Sequence, residues 1–231
     1  MNHPGKGVPV RRRLACFDFD GTLVDGFPPE APFIWKVLHT HFGCPADALD
    51  VARRQFFAGE RTYEEWFAHD IRLLSAAGAD RDGVVAALAP LRVVEGAREV
   101  LARLRAAGWV VALLSGSVDV ALDHFFPDRP FDEVMLNRFL FDEAGRLVGG
   151  VATPYDVDRK ADGLADLAAR HGVALEDTVF VGDSYNDVEV ARAAGTSIAF
   201  NCREPRLAAV ATHVIPWPAQ DLRAILPLLA A

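Results

Sequence analysis

The chain has 231 residues, 51% of them hydrophobic, and a formal net charge of −8 at pH 7. This length and apolar share exclude a disordered chain and predict one folded core with room for an inserted module. The acidic balance argues against nucleic acid or an anionic membrane as the main partner, although a site that holds a metal can still take a small anionic substrate.

The N-terminal region gives no targeting signal. Arg11 to Arg13 precede an apolar run, but that run stops after four residues at Asp18, which is too short for a signal peptide. No apolar run approaches the length of a membrane span. The cysteines lie far apart without metal-ligand spacing, at Cys16, Cys44 and Cys202. We therefore expect reduced thiols in a cytoplasmic protein, present as a monomer or homodimer.

The first predicted element is a buried strand, Leu14 to Phe17, that ends in two acids. Asp18 and Asp20 follow this strand, and Gly21 and Thr22 turn the chain away. Carboxylates at the end of an apolar strand lose hydration unless a cation pairs with them, and Mg²⁺ is the usual choice where carboxylates meet a phosphate. The alternative is a pair of solvated acids in an ordinary turn, which the spacing of the two acids alone leaves open.

The next segment, residues 26–92, is predicted to be an all-helical cap inserted into the core. Four helices are expected, at residues 30–42, 46–58, 62–77 and 81–89. Thr62 and Glu65 match a capping box at the start of the third helix. The segment is rich in aromatic rings; we expect most of them to pack the helices together and the others to wall a substrate pocket.

From residue 93 onward, strands alternate with helices. Strands are predicted at 109–114, 132–136, 178–182, 196–200 and 213–215, with a small β-hairpin at 137–151. Helices are predicted at 96–107, 118–126, 159–171, 187–194, 205–210 and 219–229. This alternation predicts an α/β fold, a Rossmann-like doubly wound parallel sheet, whose core domain combines residues 1–25 and 93–231.

Polar residues recur where the predicted strands of this sheet end. Ser115 and Gly116 follow strand 109–114, Lys160 opens the helix after the hairpin, and the segment GDSYND at 182–187 follows strand 178–182. Because the carboxyl ends of parallel strands meet at one edge, we expect these groups to converge on the two acids of the first strand. One lysine, one hydroxyl and several acids around one point predict a site for a phosphate and a divalent cation.

Together these segments resemble the four motifs of the haloacid dehalogenase-like (HAD) superfamily, in its phosphoserine phosphatase-like branch. The matching segments are DFDGTLV at 18–24, ALLSGS at 112–117, Lys160, and GDSYND at 182–187. A cap between the first and second motifs is similar to the helical C1 cap of that superfamily. The resemblance covers residues 14 to about 226 and implies a Mg²⁺-dependent phosphatase.

The resemblance also implies the roles of the acids. Asp18 corresponds to the nucleophile that forms an aspartyl-phosphate, and Asp20 to the general acid and base. The implied Mg²⁺ ligands are the Asp18 carboxylate, the Asp20 backbone carbonyl and Asp183. Asp187 is expected in this metal shell or just outside it, where a carboxylate orients the ligands.

The groups that would hold the phosphoryl oxygens are likewise implied by the resemblance. The residues are Ser115, Gly116, Lys160 and Asn186. A hydroxyl, a backbone amide, an ammonium and a side-chain amide are all hydrogen-bond donors, which an anionic phosphate requires.

The cap departs from the family pattern at two positions. Family members that act on phosphoserine use a cap glutamate for the ammonium and a cap arginine for the carboxylate of serine. Phe27 stands at the first position here and Asp70 at the second. We therefore expect a small phosphorylated metabolite other than phosphoserine. The residues predicted to form the substrate pocket are Phe27, Glu30, Arg61, Trp66 and Asp70.

Two other functions remain open at the level of sequence. A phosphotransferase or phosphomutase would use the same aspartyl-phosphate, and the exclusion of water by the cap would distinguish it from a hydrolase. A non-catalytic phospho-acceptor module, like a response-regulator receiver, would also combine acids, Mg²⁺ and a lysine on a parallel sheet. A receiver, however, has no need of a long cap or of an acid/base beside the nucleophile.

Overall fold

The computed structural model describes residues 12–26, 33–219 and 221–229. The strands are β1 Leu14–Phe17, β2 Val24–Gly26, β3 Leu91–Val93, β4 Val110–Val118, β5 Glu133–Phe141, β6 Leu147–Val151, β7 Thr178–Gly182, β8 Thr196–Cys202 and β9 His213–Pro216. The α-helices are α1 Ile34–His41, α2 Ala46–Phe57, α3 Tyr63–Ala76, α4 Arg81–Ala87, α5 Ala97–Ala106, α6 Asp119–Phe125, α7 Lys160–His171, α8 Val188–Ala193 and α9 Pro205–Ala208. None of the helices in these described ranges is long and apolar enough to cross a membrane.

A mostly parallel sheet forms the centre of the fold, in the strand order β6-β5-β4-β1-β7-β8-β9. Strand β1 pairs in parallel with β4 on one side and with β7 on the other. Strand β6 runs antiparallel to β5 and forms the predicted hairpin at the edge of the sheet. The order places the carboxyl ends of β4, β1 and β7 side by side, and it confirms the predicted Rossmann-like α/β class.

Helices cover both faces of the sheet, because successive side chains of a strand point to opposite faces. Ala15 and Phe17 of β1 pack in a large apolar cluster with helices α5 and α6. Leu14 and Cys16 point the other way and pack with helix α7. All four side chains are fully buried, which explains why β1 is a continuous apolar run rather than an alternating one.

Helices α1 to α4 form the helical insertion, defined here as residues 33–90. Each helix lies within the range that the sequence predicts. The capping box is confirmed, because the Glu65 N–H donates to Thr62 Oγ1 at 3.2 Å and the Thr62 N–H donates to Glu65 Oε2 at 2.8 Å. The division of the chain into a core domain and a cap domain at residues 26–92 stays a prediction.

The sequence analysis missed a two-stranded ribbon where the helical insertion joins the core. Strands β2 and β3 pair antiparallel, with Val24 opposite Val93 and Gly26 opposite Leu91. Strands of three residues are too short to show an alternating pattern, so only their pairing across the insertion reveals them. The ribbon lies at the predicted cap boundary and holds both ends of the insertion together.

Two further elements differ from their predictions. The strands predicted at 132–136 and in the first half of the hairpin are one continuous strand, β5. The terminal helix predicted at 219–229 is a 3₁₀ helix, Leu222–Leu229. Pro227 lies inside this segment and has no N–H to donate to the preceding turn, which disfavours a regular α-helix there.

The helical insertion is joined to the β5–β6 hairpin by backbone hydrogen bonds. The Arg81 N–H donates to the Gly145 carbonyl at 2.9 Å, and the Leu147 N–H donates to the Ala79 carbonyl at 2.9 Å. Phe67 of α3 packs against Gly150 of β6, where a Cβ would lie 2.6 Å from the ring. The hairpin therefore holds α3 and the segment between α3 and α4 against the core.

Candidate active site

A buried lysine lies at the centre of the predicted site. Lys160 begins α7, and its Nζ is 3.0 Å from Asp18 Oδ1 and 2.6 Å from Asp187 Oδ1. The lysine is fully buried and Asp18 is 3% exposed. The groups converge because β1 and β7 are adjacent parallel strands, so the residues after each strand reach the same edge. The two carboxylates raise the pKa of Lys160 against the effect of burial and keep the ammonium charged.

Three carboxylates at this edge can hold a metal ion. One oxygen from each of Asp18, Asp183 and Asp187 lies within 4.8 Å of the others. Burial, followed by the charges of Asp18 and Asp187, raises the pKa of Asp183 well above its ordinary value. Such mutual repulsion and an all-oxygen donor set fit a hard divalent cation such as Mg²⁺. These three side chains can therefore supply oxygens to a Mg²⁺ site, and their assignment as its ligands stays a prediction.

Two glycines make room for these carboxylates. Gly21 has φ of 74°, and a Cβ on it would collide with the carboxylate of Asp183. A Cβ on Gly182 would collide with the carboxylate of Asp187 in the same way. Without a Cβ at Gly182, the Asp187 carboxylate can lie against the loop that follows β7. Its Oδ2 accepts hydrogen bonds there from the N–H groups of Asp183 at 2.9 Å and Ser184 at 3.1 Å. Glycine at these two positions is therefore a requirement of the acid cluster.

Asp20 faces the helical insertion rather than the acid cluster. Its Oδ1 accepts a hydrogen bond of 3.0 Å from the N–H of Ile34, the first residue of α1. Burial, with a further contribution from the charge of Asp18, raises the pKa of Asp20 to about 8. Two acids two residues apart thus lie in different environments, and the raised pKa of Asp20 suits a proton donor.

The other predicted phosphate-binding residues line a cavity at this edge of the sheet. Ser115 and Gly116 follow the apolar part of β4, and Asn186 lies in the 3₁₀ turn after β7; all three line the cavity with Asp18 and Asp20. Ser115 is 2% exposed, and its Oγ accepts from the Ser117 N–H at 3.3 Å. The structure therefore brings Ser115, Gly116 and Asn186 to the cavity that Asp18 and Asp20 line, while Lys160 and Asp187 are fully buried, with Lys160 in contact with Asp18 and Asp187.

The sequence analysis missed one more buried acid in the cavity wall. Asp156 lies four residues before Lys160, and its Oδ1 accepts from Asn186 Nδ2 at 3.1 Å. A Cβ on Gly116 would collide with the Asp156 carboxylate, so this glycine allows the two segments to touch. Burial raises the pKa of Asp156, while the charge of Lys160 opposes the shift. No local pattern marks this aspartate; its spacing of four residues from Lys160 is the only sequence signal.

A hydrogen-bond network also connects the helical insertion to Gly116. Trp35 Nε1 donates to the Gly116 carbonyl at 2.9 Å, and Asn137 Nδ2 donates to the same oxygen at 2.6 Å. Asn137 Nδ2 also donates to the Tyr63 hydroxyl at 2.8 Å. The indole of α1 and the phenol of α3 are thus tied to the phosphate-binding loop, which the sequence could not reveal because the partners are distant in the chain.

The cavity has a volume of about 970 Å³ and extends from the acid cluster into the helical insertion. Of the predicted pocket residues, Trp66 and Asp70 line it. Arg61 does not, because its guanidinium is turned toward Gln55 Oε1 at 2.8 Å and the Glu65 carbonyl at 3.3 Å. Phe27 and Glu30 lie outside the described residues.

We expect Mg²⁺ to raise the melting temperature of the wild-type protein. A ligand at a hundred times its dissociation constant stabilises by about 2.7 kcal/mol, which is roughly 5–11 °C for a chain of this size. Thermal unfolding in EDTA and in excess MgCl₂ measures the shift. Asp183→Asn removes one predicted carboxylate ligand, so Mg²⁺ should raise the melting temperature of this variant much less. Equal shifts in the wild type and the variant would contradict the assigned ligands.

The fold and the site fit an α/β phosphatase with an acid cluster at the carboxyl edge of its sheet. A family model described as haloacid dehalogenase-like hydrolase matches residues 13–195. The phosphoserine phosphatase of Methanocaldococcus jannaschii is 30% identical over 217 residues, which cover 94% of this chain and 97% of that protein. The chain therefore belongs to the HAD-like hydrolases and is a phosphoserine phosphatase-like phosphatase of that family.

Further relatives agree with this assignment. Phosphoserine phosphatase SerB2 of Mycobacterium tuberculosis is 31% identical over 212 residues, which cover 91% of this chain and 49% of that protein. A solved phospho-aspartyl intermediate analogue of phosphoserine phosphatase superposes with a TM-score of 0.74 at 29% identity, covering 95% of this chain and 99% of that one. A substrate-bound phosphoserine phosphatase complex gives a TM-score of 0.74 at 28% identity, and the match covers 95% of this chain and 99% of that one.

Proposed function

We propose that this phosphatase is a Mg²⁺-dependent phosphomonoester hydrolase that works through an aspartyl-phosphate on Asp18. Its substrate is a small phosphorylated metabolite other than phosphoserine. The observation that carries the proposal is the arrangement of the two acids: Lys160 Nζ lies 3.0 Å from Asp18 Oδ1, while Asp20 accepts a hydrogen bond from the first residue of α1 in the helical insertion.

The mechanism assigns the first half-reaction to the two acids of the first motif. An Asp18 oxygen attacks phosphorus and forms a new P–O bond, while the bond between phosphorus and the leaving oxygen breaks. Asp20 gives its proton to that oxygen, so the leaving group departs as an alcohol. The raised pKa of Asp20, about 8, suits this role because the carboxyl carries a proton at neutral pH.

In the second half-reaction Asp20 accepts a proton from water as the water oxygen attacks phosphorus. The bond between phosphorus and Asp18 breaks, and inorganic phosphate leaves. Lys160, the Ser115 hydroxyl and Asn186 would bind phosphoryl oxygens and thereby stabilise the charge of the transition state. Mg²⁺ held by the Asp18 carboxylate, the Asp20 backbone carbonyl and Asp183, with Asp187 in this shell or just outside it, would offset the repulsion between the anionic nucleophile and the anionic phosphate.

The choice of substrate rests on the helical insertion. Asp70 lines the cavity and is 7% exposed, so a substrate carboxylate placed beside it would bring two negative charges together in a buried site. The curated relatives are named phosphoserine phosphatases, and phosphoserine, which carries a carboxylate, is therefore the reference substrate. We expect clearly lower kcat/KM for phosphoserine than for the best carboxylate-free phosphomonoester.

Phosphate release from a panel of phosphorylated metabolites, with and without EDTA, tests this function. We expect multiple turnovers with Mg²⁺ and none in EDTA. Asp20→Asn should slow both half-reactions, by roughly 10²–10⁴-fold, because the variant can neither donate the proton in the first nor accept it in the second. Transfer of the phosphoryl group to an added alcohol instead of water would favour a phosphotransferase. Attachment of one phosphoryl group to Asp18 without release of phosphate would favour a phospho-acceptor module. A clear preference for phosphoserine would contradict the proposed substrate.

A further inference from the structure

The cavity has an inner end within the helical insertion, away from the acid cluster. Helix α3 presents Tyr63, Trp66, Phe67 and Asp70 to the cavity, a spacing that places these side chains on one face. On α1, Trp35 and His39 are one turn apart and also line it. Because Tyr63 and Trp35 contact the phosphate-binding loop region, Asp70 and His39 lie further along the two helices, at the end where a leaving group would be held.

Asp70 is a buried carboxylate without an ion pair to lysine or arginine in the part of the chain that the structure describes. Its Oδ1 is 3.2 Å from His69 Nδ1, and its Oδ2 is 3.9 Å from His39 Nε2, too far for a hydrogen bond. Burial lowers the pKa of His39 to about 4, so that imidazole is neutral at pH 7. The cationic side chains that line the cavity outside the acid cluster are all exposed: Lys36, Arg53 and Arg203.

A second polar atom at this inner end lacks a partner. His39 Nε2 is buried and makes no hydrogen bond within the described residues. A neutral imidazole can accept at this nitrogen, so Nε2 and the Asp70 carboxylate present two acceptors 3.9 Å apart. A hydroxyl has one donor and can serve one of them, whereas a primary ammonium has three donors and can serve both.

Aromatic side chains line the cavity from the same two helices as these two acceptors. Trp35 lies 5.7 Å from the His39 ring and 5.9 Å from the Phe67 ring, measured between centroids. Trp66 lines the cavity on the same face of α3 as Asp70. Aromatic faces attract cations and repel anions, so the walls and the carboxylate favour the same kind of group.

We propose that Asp70 and His39, walled by Trp35, Trp66 and Phe67, bind a primary ammonium on the leaving group of the substrate. The substrate class is then an aminoalkyl phosphomonoester without a carboxylate. This inference rests on the proposed phosphomonoester hydrolase function and assigns its specificity to a place in the helical insertion. Asp70 contributes the charge, and His39 contributes the second acceptor that distinguishes an ammonium from a hydroxyl.

The test compares ω-aminoalkyl phosphates of increasing chain length with n-alkyl phosphates in which a methyl group replaces the ammonium. We expect kcat/KM for the best amine to exceed that of its alkyl partner by roughly 10- to 100-fold, the usual value of hydrogen bonds to a charged group. Asp70→Asn should lower kcat/KM for the amine far more than for the alkyl ester, mainly through KM. Glu64→Gln removes a charge from the exposed side of the same helix and should keep the preference.

Each outcome decides the proposal. Equal kcat/KM for amine and alkyl esters, a preference for phosphoserine over every amine, or an equal loss for both substrates in Asp70→Asn would overturn it. If Asp70→Asn does not fold, the comparison of amine and alkyl esters on the wild type decides alone. Failure of the underlying function is separate: it appears as no phosphate release from any ester, p-nitrophenyl phosphate included, or as activity that survives Asp18→Asn.

Discussion

Asp18→Asn should lower kcat for phosphomonoester hydrolysis by roughly 10⁴-fold or more, because a carboxamide cannot accept the phosphoryl group as a carboxylate does. The side chain keeps its size, and its oxygen can still accept from the Phe19 N–H, a bond of 2.8 Å in the wild type. Lys160 retains Asp187 at 2.6 Å. One of three mutually repelling carboxylates is gone, so the metal-free variant should melt at the wild-type temperature or slightly above it.

Two measurements check this prediction. Steady-state phosphate release gives kcat, and mass spectrometry of acid-quenched enzyme shows whether a phosphoryl group is attached to the protein. Wild-type enzyme mixed with substrate should carry it, and the variant should not. Asp158→Asn is the matched control, since it makes the same chemical change at an exposed acid near Lys160. Activity of Asp18→Asn within tenfold of the wild type would show that another group is the nucleophile.

Lys160→Met should lower the free energy of unfolding by about 3–5 kcal/mol in EDTA, the usual cost of removing one partner from a buried ion pair. The ammonium lies within 3.0 Å of two buried carboxylates, and 5.7 Å from the Phe180 ring centroid. Methionine fills a similar volume, so the cost arises from the charges left behind rather than from a cavity. Activity should also fall strongly, because the ammonium no longer offsets the charge of Asp18 or binds the phosphate.

Urea unfolding in EDTA gives the free energy, and a second substitution identifies its origin. Asp187→Asn in the Lys160→Met background should cost less than Asp187→Asn in the wild type, because it removes the carboxylate that the first change left unpaired. Coupling of this kind is commonly about 0.5–3 kcal/mol between residues in contact. Lys36→Met, at an exposed lysine, should change stability little. A cost of Lys160→Met equal to that of Lys36→Met would argue against a buried ion pair.

The core motifs could be predicted because their signals are local. An apolar run followed by acids is enough to predict β1 and the site acids Asp18 and Asp20. The apolar runs before Ser115 and Asp183 likewise predict β4 and β7, each followed by candidate site residues. The carboxyl ends of neighbouring parallel strands lie at the same edge of the sheet. Lys160 accordingly contacts both Asp18, which follows β1, and Asp187, which follows β7. The strand ends of the catalytic edge therefore follow from the linear pattern and one general rule of sheet topology.

The pocket in the helical insertion could be predicted only in part. Trp66 and Asp70 line the cavity, but Arg61 is turned away by contacts with Gln55 and Glu65 that its position in the chain does not suggest. On an amphipathic helix every exposed polar residue is a candidate for the pocket, and only the packing of α1, α2 and α3 decides which side chains face it.

The α/β class and the strand ends that meet at the acid cluster could be predicted from the amino-acid sequence, because each depends on the hydrophobic period or on residues close together in the chain. Tertiary structure alone decided the β2–β3 ribbon, the contact of Asp156 with Gly116 and Asn186, and the meeting of His39 with Asp70. These partners are far apart in the chain, and only chain folding sets the distances between their side chains.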